Sequence, residues 1–186
     1  MSDQLPVVDD PAAAASSQLA RYAWSIPGFV VERPGMGGPE AWCYTDRFSY
    51  VADEHIAVHT HTTAERYSLR LVRDGAEPRE VWRADDLPGK AYDTPADAYS
   101  VGCGWPVALT IPVESGWESG FYLLIISAVV DGRLHEREHF VVVRSSRPGA
   151  DTPYVLVLST STMLAYNDWG GANHYRGLGD DPPRGR

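Results

Sequence analysis

The strongest constraint on the fold is a pair of apolar, β-branched runs joined by an Asp-Gly dipeptide. The first run is Gly120 to Val130, Asp131-Gly132 follows it, and His139-Phe-Val-Val-Val-Arg144 comes next. Asp-Gly between two such runs is a strong signal for a β-hairpin, because both central residues of the favoured turn need positive φ values. The sequence therefore predicts that these two runs form an antiparallel hairpin.

Further strand signals precede this hairpin. They are the alternating segments His55–Thr62, Tyr67–Arg73 and Val107–Ile111, with a short and exposed Glu80–Arg83 beside them. Asp74-Gly75 supplies another turn, and the Pro-, Gly- and Asp-rich stretch from Ala84 to Cys103 is predicted to be a long surface loop. Short strands without helical periodicity indicate a mainly β protein with an immunoglobulin-like antiparallel β-sandwich.

The pattern changes after residue 147. Residues 1–20 are polar, acidic and Ala-rich and predict a flexible leader, and 21–147 form the sandwich. Tyr154–Leu158 is a continuous apolar run, which predicts a fully buried strand of a parallel sheet. We therefore expect residues 148–186 to be the first strand and loop of an incomplete, open-sheet α/β catalytic domain, truncated after its first site-bearing loop.

Composition excludes several function classes. The net charge of −9 argues against a nucleic-acid partner, which would require clustered Lys and Arg. Apolar runs are too short for a membrane-spanning helix and no secretory signal is visible, which predicts a cytoplasmic protein without a membrane partner. Cys43 and Cys103 are too few for a disulfide scaffold, and we expect two reduced, buried thiols.

Two histidine motifs invite a metal assignment. His135-Glu-Arg-Glu-His139 matches a zinc-peptidase signature, but that chemistry needs a helix, and this segment is predicted to be a strand with its charged residues facing solvent. On a strand the two imidazoles would lie about 13 Å apart along the chain. His59-Thr-His61 would place two rings on one face of a strand, although no third ligand is evident nearby.

The loop after the apolar run carries the densest set of chemical groups. Tyr166-Asn-Asp-Trp169 offers a phenol, an amide and a carboxylate, and Gly170-Gly171 allows the main chain to adopt unusual φ values or to approach a ligand closely. On these residues alone, a purely structural loop and a functional site both remain open.

The chain resembles the large (beta) subunit of N,N-dimethylformamidase and its relatives over most of residues 22–178. The resemblance is carried by Tyr67–Gly75, Ile111-Pro112, Trp117–Tyr122, Phe140–Arg144 and Leu158–Tyr175. Its specific part is Ala165-Tyr-Asn-x-Trp-Gly-Gly171. The order implied is an N-terminal β-sandwich followed by an open-sheet catalytic domain.

The resemblance also implies an activity. It predicts hydrolysis of a small amide at a mononuclear, non-haem iron held by two tyrosines and a glutamate, hard oxygen donors that suit ferric iron. By motif position Tyr166 is the first candidate ligand and Tyr175 the second. Asn167 and Asn173 are candidates for orienting substrate or water.

The sequence departs from that family after Tyr175, where Arg-Gly-Leu-Gly-Asp-Asp-Pro-Pro carries no strand or helix signal. Met163 also stands where an aromatic residue is expected. The third ligand, a carboxylate, and a general base are therefore expected from a missing C-terminal domain or a partner subunit, without which the chain would be inactive. The alternative is a non-catalytic β-sandwich module that docks on a partner. In either case residues 154–175 are expected to drive oligomerisation unless a partner covers them.

Overall fold

The computed structural model describes residues 35, 38–150, 153–167, 169–170 and 173–174. The predicted leader 1–20 and the candidate ligand Tyr175 lie outside these residues. The elements, in chain order, are β1 Ala41–Thr45, β2 Ser49–Tyr50, β3 His55–Thr62, β4 Arg66–Asp74, β5 Arg79–Pro88, α1 Ala98–Val101, β6 Val107–Pro112, β7 Gly120–Val130, β8 Arg133–Val143 and α2 Thr160–Tyr166.

Two sheets pack into a mainly β sandwich, which confirms the predicted class. One sheet has three strands in the order β1-β3-β6, and the other has five in the order β2-β8-β7-β4-β5. All neighbouring strands are antiparallel except for the short β2–β8 pair. We refer to these as the three-stranded and the five-stranded sheet.

The central hairpin forms as the sequence predicts. Val130 pairs with Arg133, and the two intervening residues Asp131 and Gly132 have φ values of 51° and 73°. Both lie in the left-handed region that a tight two-residue hairpin turn requires. The register of all eleven β7 residues against β8 follows from this turn.

The core between the sheets comes from the inward-facing residues of each strand. Because side chains alternate along a strand, every second residue is buried in β3, β4 and β7. The largest fully buried apolar side chains are Tyr50, Tyr122, Ile56, Leu69, Leu71, Ile111, Leu124, Ile126, Val58, Val113 and Val141. Burying one such aliphatic side chain contributes roughly 1.5–3 kcal/mol, so this core accounts for the stability of the sandwich.

The region from Ala84 to Cys103 is more regular than predicted. Strand β5 continues to Pro88 as the exposed edge of the five-stranded sheet, and α1 forms near the end of the segment. The strand was underestimated because Arg83-Ala-Asp-Asp86 reads as a polar turn. On an edge strand, charged side chains are compatible with the sheet and discourage pairing with other chains.

The predicted buried strand at Tyr154–Leu158 is wrong for this structure. These residues are assigned no strand, and Tyr154, Val155, Leu156 and Val157 are 83, 87, 75 and 82% exposed. A strand requires a neighbour for its backbone hydrogen bonds. None of the described strands pairs with this segment.

Among the described residues, no helix is long and apolar enough to cross a membrane.

Candidate functional site

The segment that carries the candidate ligand forms a short helix followed by a turn that folds back on it. Helix α2 ends at Tyr166. The backbone N–H of His174 then donates to the carbonyl oxygen of Ala165 at 3.2 Å. Asn173 Nδ2 donates to the carbonyl oxygen of Tyr166 at 3.1 Å. These two hydrogen bonds close the loop that follows α2 and fix the backbone at the half-buried Tyr166.

Asn167 is the exposed residue at the start of this turn. Its Oδ1 accepts the backbone N–H of Trp169 at 3.2 Å, a local contact of the kind that asparagine often makes in turns. Because the acceptor in this bond must be the amide oxygen, the Nδ2 group of Asn167 remains available to donate to another partner. Nδ2 makes no hydrogen bond to the rest of the described chain. Asn167 therefore presents a donor next to Tyr166, whereas the bond from Asn173 Nδ2 to the Tyr166 carbonyl oxygen closes the loop.

Trp169 attaches the turn to the sandwich. Its ring meets those of Trp42 and Trp105 edge to face, with centroid distances of 5.7 and 5.9 Å and interplanar angles of 73° and 88°. Gly170, with φ of +90°, lies against the backbone of Tyr99, and a Cβ there would sit 3.1 Å from the Tyr99 nitrogen. Edge-to-face indole contacts are worth roughly 0.5–1.5 kcal/mol each beyond the area they bury.

The surface that receives Trp169 is the outer face of the three-stranded sheet. Trp42 and Tyr44 of β1 pair in register with His61 and His59 of β3, and Trp105 covers them. We call these five residues the aromatic platform. Tyr44 and His59 stack at 4.5 Å with an interplanar angle of 3°. Trp105 is only 3% exposed although it lies outside the main core.

The two histidines of the platform are structural. Nδ1 of His59 donates to the carbonyl oxygen of Trp105 at 2.7 Å. Nδ1 of His61 accepts the backbone N–H of Tyr92 at 3.1 Å, so its proton is on Nε2, which donates to Glu40 at 2.7 Å. With both nitrogens engaged, His61 has none left for a metal, and the alternative of a site at His59-Thr-His61 loses its support.

His135 and His139 lie on β8, as the sequence predicts, which removes the helix that a zinc-peptidase site needs. The expectation that this strand faces solvent is wrong for both histidines, since His135 is 8% exposed and His139 is half-buried. Burial lowers the pKa of His139 to about 4. Its Nε2 lies 2.9 Å from Thr45 Oγ1, whose own proton is donated to the Arg47 carbonyl oxygen. The ring is therefore a neutral donor.

The donor chemistry of the described turn fits part of an iron site. Tyr166 offers a phenol oxygen, a hard donor of the kind that ferric iron prefers. Tyr175 lies outside the described residues, and no group of three or more His, Cys, Asp or Glu side chains placed to bind a metal occurs in the part of the chain that the structure describes. Of the two tyrosines predicted as ligands, the described residues include Tyr166.

Residues 65–186 match a family model described as N,N-dimethylformamidase beta subunit-like, C-terminal. The chain belongs to this family. The match begins at the start of β4 and extends through α2, so it covers the five-stranded sheet from β4 onward and the Tyr166 turn. A search of the curated proteins found no match.

Membership in the dimethylformamidase-like family agrees with the resemblance seen in the sequence. Sequence reasoning found the turn through Tyr166, Asn167 and the glycines, but it missed the platform. The detectable signal was the alternation of Trp42 with Tyr44 and of His59 with His61. That alternation becomes meaningful only when the register of β1 against β3 is known.

Proposed function

We propose that this dimethylformamidase-like chain takes part in the metal-dependent hydrolysis of a small amide. The observation that carries the proposal is the Tyr166 turn, which lies within the family match and holds a phenol beside an exposed amide donor on a folded support. Tyr166 and Tyr175 would hold ferric iron as phenolates. The ion would polarise the amide carbonyl and lower the pKa of a water molecule.

The residues of this chain have separate tasks in that reaction. Tyr166 keeps an oxygen donor at the end of α2, where the bond between Asn173 and its own carbonyl fixes the backbone. Asn167 Nδ2 is oriented by the bond between Oδ1 and Trp169, and it can donate to the carbonyl oxygen of a bound amide. Such a donor stabilises the negative charge that develops on that oxygen.

A complete site needs polypeptide beyond the described residues. The third ligand, a carboxylate, and a general base are not assigned to any described side chain near Tyr166. We propose that a further domain or a partner subunit supplies them, and that this polypeptide also covers the exposed apolar segment at Tyr154–Val157. The chain would therefore be inactive by itself and active in the assembly.

The test is the release of dimethylamine from N,N-dimethylformamide. The chain is assayed alone and after mixing, in the presence of iron, with the open-sheet domain of a dimethylformamidase large subunit. We expect turnover only in the mixture, at least a hundredfold less with Tyr166→Phe, and no change with Tyr99→Phe, which removes only the hydroxyl of a tyrosine that is 42% exposed. Turnover by the chain alone, or equal turnover by Tyr166→Phe, would contradict the proposal.

A second candidate is a non-catalytic module that docks on a partner. The exposed apolar residues Tyr154, Val155, Leu156 and Val157 favour it, because such a run is usually covered. The same mixture distinguishes the two. A stable complex that contains iron but shows no turnover with N,N-dimethylformamide would favour the docking module.

A further inference from the structure

Among the described residues, the indole of Trp169 joins the Tyr166 turn to the aromatic platform, and we propose that Trp169 is a positioning residue for Tyr166 and Asn167. This inference rests on the function proposed above. Trp169 follows Asn167 by two residues, and its backbone N–H is bonded to the Asn167 side chain. A displacement of the indole therefore moves the Asn167 amide, to which the proposed function gives the task of donating to the substrate carbonyl.

The platform that receives the indole is itself fixed. Trp105 donates its Nε1–H to Thr94 Oγ1 at 3.0 Å, and its ring lies 4.9 Å from that of His61. His61 is held by Glu40 and Tyr92 through both ring nitrogens. A support whose own side chains are locked by packing and hydrogen bonds can hold a functional group in place.

Trp42, the second aromatic partner of Trp169, contacts the five-stranded sheet. The guanidinium of Arg137, on β8, lies 4.9 Å from the centre of the Trp42 ring. Trp42 belongs to β1 in the three-stranded sheet, so the indole of Trp169 rests on a pair that joins both layers of the sandwich. The sandwich thus acts as the scaffold of the site and not only as a neighbouring domain.

Gly170 provides a close backbone approach beside Trp169. Its φ of +90° is unfavourable for residues with a Cβ, and an added Cβ would lie 3.1 Å from the Tyr99 nitrogen. By contrast, Tyr154–Val157 of the same segment is largely exposed. Trp169 and Gly170 therefore anchor the described part of the turn next to the candidate ligand.

The experiment compares Trp169→Ala, Trp169→Phe and Trp42→Ala in the full chain. The first readout is hydrogen exchange of the His174 amide, which donates to Ala165 and reports closure of the turn without any metal. The second is the affinity for ferric iron of each variant assembled with the open-sheet domain of a dimethylformamidase large subunit, measured by the tyrosinate-to-iron absorption band. Trp82→Ala is the control, because Trp82 packs against the main core.

We expect Trp169→Ala and Trp42→Ala to speed exchange at His174 at least tenfold and to weaken ferric binding at least tenfold. Trp169→Phe should keep the exchange rate at His174 and the ferric affinity close to those of wild type, and Trp82→Ala should change neither quantity. Unchanged exchange and affinity in Trp169→Ala would overturn the inference. Absence of the band in the wild-type assembly would overturn the proposed function and the chemical role of Trp169, whereas the exchange data would still show whether it anchors the turn.

Discussion

Nε2 of His61 lies 2.7 Å from Oε2 of Glu40, and both side chains are nearly buried, at 5 and 11% exposure. Because Nδ1 of His61 accepts the Tyr92 backbone N–H, the imidazole is neutral and donates to a carboxylate. The other carboxylate oxygen, Oε1, accepts the backbone N–H of Gly35 at 2.7 Å. Glu40 thus satisfies two donors at once and ties the β3 end of the platform to the chain before β1.

Replacing Glu40 by Gln should destabilise the protein. A carboxamide has one oxygen, so its NH₂ group must face either His61 Nε2–H or Gly35 N–H. We expect a loss of about 1–3 kcal/mol, the usual cost of leaving a buried polar group unsatisfied. Urea denaturation measures it. Glu114→Gln, at an exposed side chain, is the control and should change the free energy of unfolding little. Equal stability of Glu40→Gln and wild type would show that the buried pair is unimportant.

Stability should fall with acidification because of His139. Burial lowers its pKa from the ordinary 6.5 to about 4, so between these values the unfolded chain binds more protons than the folded one. The contribution is therefore fully present above pH 6.5 and is lost as the pH falls toward 4. The total corresponds to about 3 kcal/mol.

The measurement is the free energy of unfolding of wild type and His139→Asn across that pH range. Asn keeps a donor near Thr45 but does not titrate, so its stability should depend less steeply on pH. His55→Asn, at an exposed histidine, is the matched control and should follow the wild-type curve. Parallel curves for wild type and His139→Asn would contradict the assignment.

The two thiols should be unreactive in the folded protein. Both cysteines are free, as predicted, although they are half-buried and not fully buried. Burial raises the pKa of Cys43 to about 12 and that of Cys103 to about 11, so neither forms the nucleophilic thiolate near neutral pH. Ellman's reagent at pH 8 should label both rapidly in urea and slowly in the native state. Fast native labelling of Cys43 would show that the core there is open.

Gly132→Ala should weaken the central hairpin. Gly132 has φ of 73°, and an L-residue with a Cβ pays about 1–2 kcal/mol in this left-handed conformation. The control is Gly116→Ala, since Gly116 has no neighbour within 4 Å of an added Cβ and is not among the glycines with positive φ. Thermal unfolding should separate the two variants. A Gly132→Ala variant as stable as Gly116→Ala would refute the turn assignment.

The parts of the fold set by local patterns were predictable from the sequence. The hairpin at Asp131-Gly132 needs only a turn and two apolar runs, all of which lie within 25 residues. By contrast, Tyr154–Leu158 was predicted to be buried from its apolarity. Apolar composition favours burial, but burial also requires a surface that packs against the side chains, and in the described structure Tyr154–Val157 remain largely exposed.

The site was predictable only in part, for the same physical reason. Tyr166 and Asn167 are adjacent in sequence, and their chemistry could be recognised directly. Trp42, Trp105 and Trp169 are distant in sequence and meet through strand register and a packed loop, which no local pattern specifies. The spacing of His59 and His61 suggested a metal site. Their roles are instead decided by their hydrogen-bond partners within the protein, which the spacing does not reveal.

The most direct test of the account is a ferric iron titration of the chain assembled with the open-sheet domain of a dimethylformamidase large subunit, with the visible tyrosinate-to-iron band as the readout. The account predicts a band in wild type and in Tyr99→Phe, which removes only the hydroxyl of a tyrosine that is 42% exposed, a weaker one in Tyr175→Phe, and the largest loss in Tyr166→Phe. A colourless wild-type assembly, or a Tyr166→Phe assembly that matches wild type in both intensity and affinity, would contradict the assignment of Tyr166 as a ligand.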